Sequence, residues 1–197
     1  MFIEPHLGGT RERTGWIEVI CGCMFSGKTE ELIRRLNRAI IGKQRVEIFK
    51  PVTDIRYHHT SIVSHNENAI RSTPVNFASD ILLLAGNCDV VGIDEAQFFD
   101  ASIVEVCNTL ANSGKRVIVA GLDMDYEGKP FGPMPNLLAI AEFVTKLHAV
   151  CAQTGELASF SFRLIDSNNS QVMLGEKSEY EARSRKSFIE GMKERKK

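Results

Sequence analysis

The chain has 197 residues, 43% of them apolar and 25% charged, a composition that suits one globular domain with room for a small addition. Its 25 acidic and 24 basic residues nearly cancel, so no overall field marks it as a binder of nucleic acid or of membrane surfaces, and small ligands are the expectation. No apolar run reaches the roughly 20 residues that cross a bilayer, and the opening MFIEPHLGGTRERTG lacks the apolar core of a signal peptide, so the reading is a cytoplasmic protein.

Residues 1–15 are polar and without periodicity, and read as a flexible arm. WIEVICG then reads as a strand that feeds GCMFSGKT, and EELIRRLNRAIIGK as a helix with Leu32, Ile33, Leu36 and Ile40 on one face, ended by Gly42. RVEIFKP is a second strand. The polar stretch VTDIRYHHTSIVSHNENAI that follows is too long for a simple connection and predicts a hairpin or mobile loop. CDVVGIDEA and RVIVAGLD are apolar runs ending in acids, separated by the helical pattern ASIVEVCNTLANSGK, an alternation that predicts a parallel sheet covered on both faces with its ligand site at the carboxyl ends of the strands.

Past the Gly- and Pro-rich GLDMDYEGKPFGPMPN, LLAIAEF reads as a short helix and VTKLHAVC as a strand. From about Cys151 the pattern changes to short β-like pieces, FSFRLI and QVML, and the basic YEARSRKSFIEGMKERKK reads as the start of a solvated helix. The predicted organisation is a nucleotide-binding α/β domain at 16–150, a small domain at 151–190 and a flexible tail at 191–197. Five cysteines, an odd number without a CxxC pair, predict reduced thiols.

Gly22, Gly27, Lys28 and Thr29 fit a phosphate-binding loop. Backbone N–H groups of such a loop point inward at a phosphate, the lysine reaches the β- and γ-phosphates, and the Thr29 hydroxyl takes a magnesium position. Asp94, directly after the run VVGI, is the acid expected to hold that ion through water, and Glu95 beside it is a candidate general base. Two reactions stay open on these residues: attack by water in an ATP-driven machine, or attack by a substrate hydroxyl in a small-molecule kinase. A motor needs a second core or a partner's arginine, and a basic track, none of which this length and charge suggest.

The ordered segments GCMFSGKTEELIRRL, DIRY, GIDEAQFF, GLDMDYEGKPFG, KLHAVC and GEKSEYEAR resemble the thymidine kinases of the cellular and bacterial type, also found in poxviruses, over residues 16 to about 190. The resemblance implies an α/β fold, a phosphate-loop parallel sheet of RecA-like type with a small β-rich lasso domain. It also implies transfer of the ATP γ-phosphate to the 5′-hydroxyl of thymidine, with Mg²⁺. It carries ATP binding onto Gly22, Cys23, Met24, Phe25, Ser26, Gly27, Lys28, Thr29, Asp94, Glu95, Ala96 and Gln97, with Glu95 as the base and Thr29 and Asp94 at the metal. Thymidine is expected against Met24, Phe98, Leu122, Phe131 and Tyr180, with Asp54 and Arg56 near the sugar and phosphates and Met173, Leu174 and Gly175 closing over the base. A homotetramer, inhibition by thymidine triphosphate, and no nucleic-acid or membrane partner complete what the resemblance implies.

One feature departs from the family, most of whose members hold a structural zinc in two CxxC pairs. Here the pairs read CAQT and SRKS, leaving Cys151 with Thr154, Ser184 and Ser187 at the other positions, and three hydroxyls with one thiol do not make a zinc site. No zinc is therefore expected, and Cys151 reads as a small buried apolar residue. The missing cysteines also motivate a rival reading, a regulatory nucleotide-binding protein without turnover, against which Lys28, Asp94 and Glu95 stand.

Overall fold

The computed structural model describes residues 14–52, 61–63, 69–164 and 179–195. In chain order the elements are β1 (Trp16–Gly22), α1 (Lys28–Ile41), β2 (Val46–Pro51), β3 (Ser61–Val63), β4 (Ala69–Arg71), β5 (Thr73–Val75), α2 (Asp80–Leu84) and β6 (Val90–Ile93). A single 3₁₀ turn at Ala96–Phe98 precedes α3 (Ile103–Asn112), β7 (Arg116–Gly121), α4 (Met134–Ile140) and β8 (Phe143–Leu147). The series closes with β9 (Ala149–Val150), β10 (Leu157–Ala158), β11 (Phe160–Arg163), β12 (Tyr180–Arg183) and α5 (Arg185–Glu194).

Six strands form one parallel sheet in the order β5-β2-β6-β7-β1-β8. Parallel strands need crossovers, and the crossover helices cover both faces, which is why β1, β6 and β7 are apolar along almost their whole length. Ile17, Val19 and Cys21 alternate to the face shared with α3, while Ile20 points to the face shared with α1. Because all six strands run the same way, β1, β6 and β7 deliver the phosphate loop, Asp94 and Leu122 to one edge of the sheet. Among the described residues no helix is long and apolar enough to cross a membrane.

The expected hairpin after β2 is present as the antiparallel pair β3 and β4. In α1 the face differs by one position from its reading: Ala39 is buried and Ile40 is 48% exposed, because the helix turns Ala39 and Leu36 toward β2 and β6. The segment read as a helix from Tyr180 begins instead as a strand. Tyr180 and Ala182 are buried and Glu181 and Arg183 half-buried, a period of two that pairs antiparallel with β11, and the helix starts only after Ser184. Leu157, an apolar residue of the small β region, is 62% exposed, since Ala158 is the residue of β10 that turns inward.

A buried charge cluster ties the sheet to α1. Glu18, in the middle of β1, accepts from Arg35 Nη1 at 2.8 Å, Arg116 Nε at 2.6 Å and Trp16 Nε1 at 2.7 Å. Arg35, fully buried, also donates to Glu31 and to the Thr145 hydroxyl of β8. The carboxyl of Glu31 is held below its ordinary range, first by its hydrogen bond from Arg34 and further by Arg35, against a smaller effect of burial. Burying such charges is costly, and removing one partner leaves the others stranded. Glu18→Ala, which strands Arg35 and Arg116, should therefore cost about 3 to 5 kcal/mol of unfolding free energy in urea titrations; a loss below about 1 kcal/mol, the scale of exposed pairs, would show that the cluster is not a brace.

Candidate active site

The phosphate loop is shaped by three residues with positive φ. Gly22 closes β1 at φ 147°, and a Cβ there would sit 2.3 Å from the Leu147 carbonyl oxygen and 2.8 Å from Ser26 Oγ, so only glycine lets the chain turn away from β8. Phe25 stands at φ 65° and Gly27 at φ 84°, immediately before α1. A non-glycine residue in the left-handed region stores strain, and such residues gather at functional sites. Gly27 supplies no side-chain cap to the 14-residue helix α1, whose amino end faces the hollow of the loop and favours an anion there. Lys28 Nζ and Ser26 Oγ both donate to the Cys23 carbonyl, each at 2.8 Å, folding the lysine back along its own loop.

Thr29, one residue into α1, brings its hydroxyl to 3.4 Å from Asp94 Oδ2. A hydroxyl and a carboxylate converging beside a phosphate loop are hard oxygen donors of the kind magnesium takes, so the residues fit that ion. The other Asp94 oxygen accepts from the Glu95 backbone N–H at 2.9 Å, and the Asp94 N–H donates to the Phe49 carbonyl at the end of β2. Glu95 is itself left-handed, at φ 51° and ψ 42°, and starts the 3₁₀ turn. The Glu95 carboxylate accepts from the Gln97 amide, and the Gln97 carbonyl in turn accepts from the Leu122 N–H at 2.9 Å.

This chain of hydrogen bonds joins Thr29, Asp94, Glu95, Gln97 and Leu122. Phe98 and Phe131 meet edge to face, 5.7 Å between centroids at 88°, beside it. Met24 is half-buried, and its N–H donates to Ser161 Oγ at 3.0 Å, linking the phosphate loop to β11. Cys23 is buried with its thiol toward the Ala158 carbonyl, so its side chain belongs to the packing and only its backbone to the loop. Ala96 is fully buried in the core and Gln97 is turned to Glu95 and Leu122. Asp54, Arg56, Met173, Leu174 and Gly175 lie outside the described residues.

Tyr180, which looks like a surface residue from its polar surroundings in sequence, is only 6% exposed. Its hydroxyl accepts from Arg163 Nε at 3.1 Å, and the Arg163 guanidinium lies 3.7 Å from the centroid of Tyr126. The Leu164 N–H donates to the Glu179 carbonyl at 2.8 Å, so the two described ends of the segment 165–178 meet beside this stack. Ser161, Arg163 and Tyr126, which make these contacts, were not singled out by the sequence, where FSFR reads only as a β-like piece.

A model of the thymidine kinase family matches residues 15–188. The chain belongs to the thymidine kinase family. It is 64% identical to a thymidine kinase of Rhodothermus over 188 residues, covering 95% of this chain and 88% of that protein. A thymidine kinase of Bacteroides fragilis is 57% identical over 194 residues, 98% of this chain and 96% of that one. A thymidine kinase of Porphyromonas gingivalis shares 64% over 168 residues, 85% and 82% of the two chains. The phosphate loop, Asp94 and Glu95 therefore stand in a kinase fold, on which the family's ATP use follows.

The positions where most thymidine kinases carry zinc ligands serve other contacts in this chain. Ser184 caps α5, its Oγ accepting from the Ser187 N–H at 3.5 Å, and the Thr154 hydroxyl accepts from the Glu156 N–H at 3.3 Å. Cys151 is 2% exposed and packs among Cys23, Ala149, Ala158 and Ala182, the buried position expected of it. Burial pushes its thiol up, yet hydrogen bonds from the Thr154 side chain and from the backbone N–H groups of Ser184, Gln153 and Thr154 outweigh that and bring it down to about 6. Burial drives Cys107 up to about 12 and, with Asp123 adding to it, Cys21 to about 11; Cys23 and Cys88 are also raised.

The sign follows from linkage. A thiol lowered from 9.0 to about 6 on folding adds stability that is complete above 9.0 and is lost as pH falls through about 6. Thiolate absorbance at 240 nm should show one step near pH 6 in the native protein, absent in Cys151→Ser, and the stability of the parent should rise from pH 6 to 9 where that of the variant stays flatter. Absorbance unchanged below pH 8 would contradict the assignment.

Proposed function

We propose that this enzyme transfers the γ-phosphate of ATP to the 5′-hydroxyl of thymidine, giving thymidine monophosphate, with Glu95 as the general base. The observation that carries the base assignment is the geometry at the end of β6. Two adjacent carboxylates take different partners there, Asp94 the Thr29 hydroxyl of the loop and Glu95 the Gln97 amide.

The loop from Gly22 to Thr29 holds the triphosphate through its backbone N–H groups and the amino end of α1. Lys28 exchanges the Cys23 carbonyl for the β- and γ-phosphate oxygens. Thr29 and Asp94 are the residues that would hold magnesium, which when bound neutralises charge on the phosphates. Glu95 takes the proton from the 5′-hydroxyl as its oxygen bonds to the γ-phosphorus and the bond to the β-phosphate oxygen breaks, releasing ADP. Met24, Phe98, Leu122 and Phe131 line the pocket for the base, a set of apolar and aromatic side chains suited to a flat pyrimidine. Tyr180 packs against that base, and Asp54, Arg56, Met173, Leu174 and Gly175 complete the thymidine site. Water must be kept from the γ-phosphate, the service a closing segment provides.

The division into a nucleotide-binding unit at 16–150 and a lasso unit at 151–190 belongs to the same proposal. So do the cytoplasmic location, the homotetramer and inhibition by thymidine triphosphate, all supported by the resemblance to the family. The lasso unit folds without zinc. Phe160 and Phe188 stack 4.6 Å apart, Phe162 meets Phe188 edge to face at 6.1 Å, and Arg183 lies over Phe162, packing that offsets the missing ion.

Glu95→Gln should lower kcat for thymidine phosphorylation by on the order of 10² to 10⁴ with little change in the KM for ATP, since only transition-state proton transfer is lost. Turnover close to that of the parent would remove Glu95 from the mechanism. Elemental analysis of protein purified without chelator should find well under one zinc per chain; stoichiometric zinc whose removal unfolds residues after Cys151 would refute the zinc-free reading.

A further inference from the structure

We infer that Gln97 is the positioning residue for Glu95, fixing the orientation of its carboxylate by bridging it to the backbone at the end of β7; this rests on the reading of Glu95 as the base. Gln97 is 3% exposed, and both ends of its amide are engaged. Its Nε2 donates to Glu95 Oε2, and its Oε1 accepts from the Leu122 N–H at 2.9 Å. The orientation of the amide is forced by its partners. A backbone N–H only donates and an ionised carboxylate only accepts, so the reversed amide would set oxygen against oxygen at Glu95 and hydrogen against hydrogen at Leu122.

The surrounding backbone is built around this side chain. A Cβ at Gly121 would come within 2.9 Å of Gln97 Oε1, while one at Gly132, itself at φ 49°, would come within 2.4 Å of the backbone carbonyl oxygen of Gln97, so the two glycines leave room for the side chain and the main chain of this residue respectively. Glu95 is thus held twice, its backbone by Asp94 Oδ1 and its carboxylate by Gln97. The hydrogen bond at the carboxylate matters because Glu95 sits at a left-handed position at the head of a short turn, and the contact with Gln97 selects among its side-chain rotamers. Since Leu122 stands among the residues assigned to the base pocket, the same amide also sets the separation between the general base and that pocket. A catalytic carboxylate displaced by about 1 Å can lose on the order of 100-fold in rate, so a restraint of this kind acts on kcat.

The test is a double-mutant cycle in the full-length enzyme, with kcat and both KM values for Gln97→Met, Glu95→Gln and the pair, and with Gln97→Glu as a second variant. Gln97→Met removes both hydrogen bonds at nearly constant volume. Gln97→Glu keeps an acceptor for the Leu122 N–H but sets a second carboxyl group against Glu95, so that above the titration of both acids the donor is replaced by a repelling charge, and kcat read there perturbs the same contact if the Met variant fails to fold. We expect each Gln97 variant to lower kcat by on the order of 10- to 100-fold with the KM for ATP little changed. In the Glu95→Gln background Gln97→Met should cause almost no further loss, because a residue that acts through another has nothing left to position.

The inference is overturned if either variant that folds keeps the kcat of the parent, if Gln97→Met causes the same fold-loss in both backgrounds, or if the loss appears only in the KM for thymidine. A Glu95→Gln enzyme with normal turnover would instead sink the base assignment beneath it, a separate failure visible in that single variant.

Discussion

Two strands of the sheet end on glycine because there is no room for anything larger, and the reaction site depends on that constraint. At Gly22 a side chain would strike the Leu147 carbonyl of β8, and at Gly121 it would come within 2.6 Å of Met134 Sδ and 2.9 Å of Gln97 Oε1. The first absence lets the chain leave β1 with a φ of 147° and wrap into a loop whose N–H groups converge. The second opens the slot in which the Gln97 amide crosses from the end of β6 to the end of β7. With β1, β6 and β7 parallel and adjacent in register, these two gaps bring the phosphate loop, the paired carboxylates and the start of the Leu122 to Phe131 segment to one edge.

Rigidity for that edge comes from the opposite side of β1. Glu18 lies on the face toward α1 and gathers Arg35 and Arg116, while Arg35 reaches on to Thr145 in β8. Helix α1 is thereby tied directly to β1 and β8 by charge-assisted hydrogen bonds, and packed on the sheet by Leu32 and Leu36. A mobile helix would carry Lys28 and Thr29 with it. Fixing α1 through its second and third turns leaves the first turn free to meet the ligand, and the preorganised donors need no rearrangement when charge develops.

What could be read directly from the residues was whatever has a short-range cause. WIEVICG became β1 at both of its expected ends, and the positions of Gly22, Gly27, Lys28, Asp94 and Glu95 in the loop and at the strand end follow from a local motif in its required order. Properties set by distant partners were not legible. Nothing near Gln97 in sequence says that its acceptor will meet Leu122, 25 positions later, and nothing around Tyr180 announces that Arg163 will bury it. The strand at Tyr180–Arg183 is a case of tertiary pairing overriding a helix-favouring, charge-rich composition, since β11 offers it a ladder. The departure from the zinc pattern was readable as chemistry, but its consequence for Cys151 was not: hydrogen bonds from Thr154 and from the backbone N–H groups of Ser184, Gln153 and Thr154 converge on one sulfur and lower its pKa against the effect of burial.

The most direct measurement follows labelled γ-phosphate from ATP in the presence of thymidine, of deoxycytidine and of no nucleoside. The proposed function predicts rapid, magnesium-dependent labelling of thymidine at its 5′ position, weak labelling of deoxycytidine, and slow release of inorganic phosphate when no nucleoside is present. Release of phosphate at the same rate with or without thymidine, and no labelled nucleotide, would mean that water is the acceptor and would contradict the account.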